Sequence, residues 1–136
     1  MRLPLLSIVE ATADAAVGSG LRRLALFGTR FTMAAPMYPE AFSRRNLEIV
    51  VPKAEEQTFI DAKYFSELFI GVILDDTRTA LLEIANVMKQ RDGVDGLILG
   101  GTELSLILRE PRAAGLPVLD TTQIHVDAAV DLLLRD

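Results

Sequence analysis

The sequence predicts an α/β fold, a three-layer sandwich built on a short, mostly four-stranded parallel sheet. Three observations carry that prediction. Four brief apolar runs end at Gly, Pro or Asp, as strands covered on both faces do. Longer stretches between them repeat their apolar residues at helical spacing. The two kinds alternate, and crossover helices between buried strands imply parallel pairing with helices on both faces.

Taken in order, a helix over 8–17 stops at Gly18 and Gly20, which suit a left-handed C-cap. The first strand is 24–27. A helix over 36–45 begins with Pro36, tolerated in a first turn, although Pro39 makes that start ragged. The second strand is 48–51. Residues 58–70 carry Phe59, Ile60, Tyr64, Phe65, Leu68 and Phe69 at helical spacing, most simply core or contact surface. A helix over 77–90, capped by Asp76, places Leu81, Ile84, Ala85 and Met88 on one face. The third strand is 96–99, followed by a short helix over 102–108. The fourth strand, 117–119, leads through Asp120-Thr121-Thr122 into a last helix over 122–134. Ligands of such sheets sit beyond the carboxyl ends of the strands, where 28–32, 100–103 and 120–122 converge.

The 136 residues suffice for one domain with a proper core, spanning 1–136. Half of them are hydrophobic and the mean hydropathy is +0.30, leaving apolar surface for a partner. No apolar run approaches the ~20 residues of a membrane span. The start carries Glu10 and Asp14 and makes a poor signal peptide, so a cytoplasmic protein is expected. Net charge is −5 and the pI about 4.9. No basic stripe exists to follow a phosphate backbone, which argues against nucleic acid. With no cysteine and one histidine, disulfides, thiolate chemistry and Cys/His metal sites are excluded. No metal and no cofactor are expected.

Three stretches could carry chemistry. In "FGTRFTM" (27–33), a glycine ends a strand and Thr29 and Thr32 precede a helix. Hydroxyls and free N–H groups there would seat a carboxylate, or the threonines merely cap. In "GGTE" (100–103), Gly100 and Gly101 admit a ligand close to the backbone, while Thr102 can cap the next helix and donate to an anion. Glu103 is also favoured by the helix dipole alone. "LDTTQIH" (119–125) holds His125, the only histidine, which changes charge near neutral pH on an otherwise apolar helix. The pairs Glu55-Glu56 and Asp75-Asp76 are sequence neighbours and do not share a helical face.

Together, "PLLSIVEATADAA", "LALFGTRFTM", "GLILGGTELSLIL" and "LPVLDTTQIHVDAAVDLLL" resemble the aspartate/glutamate/hydantoin racemase family, nearest its aspartate racemase branch. The resemblance implies a cofactor-independent isomerase of two similar α/β domains with the active site between them. Racemisation takes the α-proton from one face of a substrate and returns it on the other. The family uses two cysteines, one per domain. The second lies in a Gly-Cys-Thr-Glu turn, and its equivalent here is Gly101; the first belongs to an amino-terminal domain. The chain resembles only the second domain with the closing strand and helix. Thr29 and Thr32 match the turn that holds a substrate carboxylate. Thr102 and Glu103 match the residues after the cysteine, and Tyr38 matches a tyrosine in the helix after the first turn. A family lysine falls on Phe69, which removes a cationic contact to a dicarboxylate.

Three functions follow as expectations. One is a family protein, truncated and without both cysteines, that binds a small carboxylate or amino-acid-like ligand and does not racemise alone. Another is a non-thiol decarboxylase or isomerase of a small carboxylic acid, with Glu103 or His125 as acid or base. The last is an assembly module, a homodimer or half of a two-chain enzyme completed by a missing domain.

Overall fold

The computed structural model describes residues 5–135. From the amino end run α1 (Leu5–Gly18), β1 (Arg23–Phe27), α2 (Arg30–Ala34), α3 (Met37–Ser43), β2 (Glu48–Val50) and α4 (Ala54–Ser66). A 3₁₀ turn (Leu68–Ile70) precedes α5 (Asp75–Asp92), β3 (Gly96–Leu99), α6 (Leu104–Ile107), β4 (Arg112–Ala113), β5 (Leu116–Asp120) and α7 (Thr121–Arg135).

Alternation along the central strands decides the layering. Side chains of a strand point to opposite faces in turn. Leu24, Leu26 and Ile98 join Val9, Ala13, Tyr38, Ala41 and Phe42 from α1 and α3 on one face. Ala25, Phe27, Leu97 and Leu99 join Ile60, Tyr64, Leu81, Ala85, Met88 and Leu104 on the other. Both faces of β1 and β3 are therefore dry, and none of Leu24–Phe27 or Leu97–Leu99 exposes any surface. The α/β layered architecture matches the expectation.

The sheet has five strands, ordered β2-β1-β3-β5-β4, not four. The first three pairings are parallel, and β4 runs antiparallel to β5. A two-residue strand is too short to show alternation, which is why it escaped the sequence pattern. Ala113 pairs with Leu116 across a two-residue turn in which Ala114 (φ 52°) and Gly115 (φ 80°) are both left-handed, as hairpin twist favours. Ala114 has a Cβ that crowds the carbonyl in this conformation. Ala114→Gly is expected to raise stability by about 1 kcal/mol, read as a shift in the urea midpoint with an unchanged slope.

Several helices depart from their expected bounds. The stretch 36–45 shortens to α3, and the turn before it folds into a one-turn helix, α2, that the two prolines obscured. Residues 58–70 divide: α4 starts earlier, at Ala54, because Glu56 accepts the Lys53 backbone N–H at 2.8 Å, and the 3₁₀ turn takes the end. Asp76 is not a cap. It lies with Asp75 in the first turn of α5, whose N-cap is Leu74, so both acids meet the helix dipole instead. Gly20 provides the left-handed residue after α1 (φ 73°). Asp120 does cap α7, its Oδ1 accepting the N–H groups of Thr122 (3.0 Å) and Gln123 (3.3 Å). Among the described residues, no helix is long and apolar enough to cross a membrane.

Candidate functional site

Register brings the three expected stretches side by side. Phe27 pairs with Leu99 and Leu99 with Asp120, so the turns after β1, β3 and β5 leave the sheet at one level.

In the first turn, Thr29 is the N-cap of α2, its Oγ1 accepting the Thr32 N–H at 3.3 Å. The two hydroxyls also lie 3.3 Å apart. The capping role is thus present, and it leaves both hydroxyls together at the strand end. Thr32 is wedged in place by two missing side chains: a Cβ at Gly28 would stand 3.0 Å from the Thr32 Cβ, and one at Gly100 3.0 Å from its Cγ2. Helix α4 leans over this turn. Asp61 Oδ1 accepts the Arg30 N–H at 2.7 Å, and the Arg30 guanidinium donates to Thr58 at 3.2 Å.

In the second turn, Thr102 does not cap α6. The N-cap is Glu103, without a side-chain cap bond, and the Thr102 hydroxyl donates instead to Glu103 Oε1 at 3.3 Å. Glu103 faces α4. The Tyr64 hydroxyl donates to the same Oε1 at 2.8 Å, joining elements 39 residues apart. A Cβ at Gly101 would stand 1.9 Å from that hydroxyl oxygen and 3.0 Å from Cζ. The phenol therefore fills the space that any side chain at 101 would need. Burial raises the Tyr64 pKa well above the ordinary tyrosine range, helped by the hydrogen bond to Glu103 and its negative charge. Near neutral pH the phenol keeps its proton.

Tyr64 is braced by Phe69, whose ring centroid lies 4.8 Å away. Phe69, the residue matched to the family lysine, is in the 3₁₀ turn and half exposed. It presents an apolar edge where a cation was the family expectation.

In the third turn, the Thr121 hydroxyl donates to the Leu99 carbonyl at 2.8 Å, and buried Tyr38 lies close by. Burial raises the Tyr38 pKa, and the neighbouring Thr121 hydroxyl partly offsets that. Tyr38 packs on the sheet face opposite Tyr64. His125 is half-buried on α7 and has no hydrogen bond to Glu103 or Tyr64.

The residue that sequence reasoning missed is Tyr64. Its helical spacing with Ile60 and Leu68 marks it as core, and it is buried. The available signal was the pairing of a bare Gly101 with a tyrosine on a helix near the sheet end, and only tertiary structure joins the two.

The Asp/Glu/hydantoin racemase family model matches residues 1–129. A Yersinia pestis protein assigned as an Asp/Glu racemase superposes with a TM-score of 0.87 at 33% identity, covering 97% of this chain and 57% of that one. An aspartate racemase homologue from Pyrococcus horikoshii OT3 gives 0.86 at 30% identity, with the same coverage. Picrophilus torridus aspartate racemase, at 23% identity and a TM-score of 0.62, shares the fold over 84% of this chain and 46% of its own. The chain spans little more than half the length of the first two. On the breadth of the family match and these two likenesses, the chain belongs to the Asp/Glu/hydantoin racemase family.

Proposed function

We propose that this chain binds a small carboxylate or amino-acid-like ligand beyond β1 and β3 and does not interconvert enantiomers by itself. Thr29, Thr32, Gly101, Thr102 and Glu103 form the binding site in this reading. The carrying observation is position 101, where the family resemblance calls for a thiol. Here there is no side chain, and the Tyr64 hydroxyl holds the vacated volume. Two-sided proton transfer needs a base and an acid on opposite faces of the α-carbon, and the sequence contains no cysteine for either role. A protonated phenol bonded to Glu103 supplies at most one of them. The same composition, with no thiol to oxidise, is compatible with work in the cytoplasm.

The test is incubation of the purified chain with L- and D-aspartate and L- and D-glutamate, followed by chiral chromatography. The D/L ratio should stay at its buffer value. Interconversion at an enzymatic rate would overturn the reading.

A second reading, assembly, draws on one specific observation. Phe65, Phe69 and Ile70 are exposed beside Tyr64, Ile70 by 70%, and Phe31 on the neighbouring α2 by 81%. Covering each such side chain contributes ~1.5–3 kcal/mol, so a homodimer or a companion domain would gain from this face. Light scattering that finds a monomer at micromolar concentration would remove the homodimer.

A further inference from the structure

We propose that the cavity beneath the β4–β5 hairpin is a second binding site, for a small divalent oxyanion such as a phosphate or a short dicarboxylate. The cavity measures about 570 Å³ and lies between α5, the end of α6 and the hairpin. Arg78, Arg109 and Arg112 line it, with Glu110 as the only acid in the lining. Three guanidinium groups face two carboxylates, Glu110 in the lining and Asp75 on Arg78, which leaves an excess of one positive charge in a chain whose net charge is −5. Outside the lining, Lys89 Nζ donates to the carbonyl of Ala114, a lining residue, at 3.4 Å.

Two of the arginines are held by the cavity's own surroundings. Arg78 Nε donates to the Ile107 carbonyl at 2.8 Å, and its Nη1 to Asp75 at 2.6 Å. Arg112 Nη1 donates to the Gly115 carbonyl at 2.7 Å. A guanidinium has five N–H donors, so each keeps others free for a ligand. Anchoring also removes part of the rotamer entropy that an arginine loses on binding. Planar donors of this kind match the paired oxygens of phosphate and carboxylate. Leu82 and Ile107 form apolar wall, which strengthens charge interactions by keeping water off one side.

The site is separate from the threonine cleft. It takes Ile107 and Leu108, at the far end of α6 from Glu103, and none of Thr29, Thr32 or Gly101. Neither proposal rests on the other.

The experiment is calorimetric titration of the intact chain with inorganic phosphate and, in parallel, succinate, at low ionic strength. Millimolar or tighter binding of at least one is expected, and the stronger of the two identifies the class. Arg109→Gln with Arg112→Gln should weaken binding about tenfold or more, since a charge-assisted hydrogen bond contributes roughly 1.5–3 kcal/mol. Glu110→Gln, which removes the opposing charge at an exposed position, should tighten it, and Arg44→Gln, outside the cavity lining, should leave it unchanged. Absence of binding by both anions at tens of millimolar would overturn the proposal. So would equal phosphate affinity in the double arginine variant, or loss of phosphate binding in Arg44→Gln.

Discussion

Gly101→Ala is expected to destabilise the protein by about 2–3 kcal/mol. An alanine Cβ would lie 1.9 Å from the Tyr64 hydroxyl oxygen, closer than any unbonded carbon and oxygen can sit. Either α4 shifts or the Tyr64 ring moves, and forced overpacking of a core costs about 1–3 kcal/mol. Movement of the ring also breaks the 2.8 Å bond to Glu103, worth about 1 kcal/mol or more because the acceptor is charged. Gly101 is not among the positive-φ glycines, so the lower entropy of the unfolded alanine chain returns only about 0.4–1 kcal/mol of that loss. Tyr64→Phe removes the oxygen but leaves a tight 3.0 Å approach to the ring carbon, so the alanine should cost less in that background. A double-mutant cycle by urea denaturation should return a coupling of about 1 kcal/mol or more. Additive losses would show that the pair is not matched. Gly101→Cys should behave like the alanine, so one exchange does not restore a thiol to this turn.

Glu67→Ala is expected to cost about 2–3 kcal/mol and to change how stability depends on pH. Glu67 lies at the end of α4 and is nearly buried. It accepts from Lys63 at 2.8 Å and from the buried Thr77 hydroxyl of α5 at 2.5 Å. Removing the carboxylate leaves Thr77 without its acceptor and Lys63 without its partner, a loss in the range of a charged hydrogen bond. The Lys63 ammonium, and then Thr77, hold the Glu67 carboxyl below its ordinary value of 4.5. A carboxyl whose folded pKa lies below its unfolded pKa contributes stability that is fully present above the unfolded value. That contribution is lost as pH falls through the folded one. Glu10, Glu56 and Asp92 are lowered in the same sense by neighbouring arginines. Wild type should therefore lose stability on acidification below about pH 4.5, and Glu67→Gln should flatten part of that limb. Denaturation midpoints between pH 3 and pH 7 measure both effects. An unchanged acid limb in the variant would mean that Glu67 does not carry it.

Much of the layered fold was legible because β1 and β3 are apolar on both faces. Runs such as Leu24–Phe27 and Leu97–Leu99 have few other ways to be buried. Helix ends were less legible. Asp76 has the chemistry of a cap, yet the chain enters α5 through Leu74, and the acids meet the helix dipole, Asp75 also pairing with Arg78. At Thr102 the same confusion arose, because its hydroxyl prefers Glu103 to the backbone. Strand β4 was invisible because its two residues depend on a neighbouring strand and a left-handed turn, not on any pattern of their own. In the candidate site, the positions of Thr29, Thr32 and Glu103 at the sheet end could be read from strand order. Tyr64 could not, because its contact with Gly101 depends on how α4 tilts over β3. Local periodicity reports which face of a helix is buried, and it is silent on which distant backbone atom that face meets.

Strand β1 sits between β2 and β3, and its inner neighbour is translated roughly 70 residues later. At roughly 5–20 residues per second, a ribosome needs several seconds to deliver Leu99 after Phe27. During that interval a nascent chain holds Leu24, Leu26 and Phe27 with one flank open and no partner yet made. Chaperone capture, or pairing with another unfinished chain, competes with correct closure in that window.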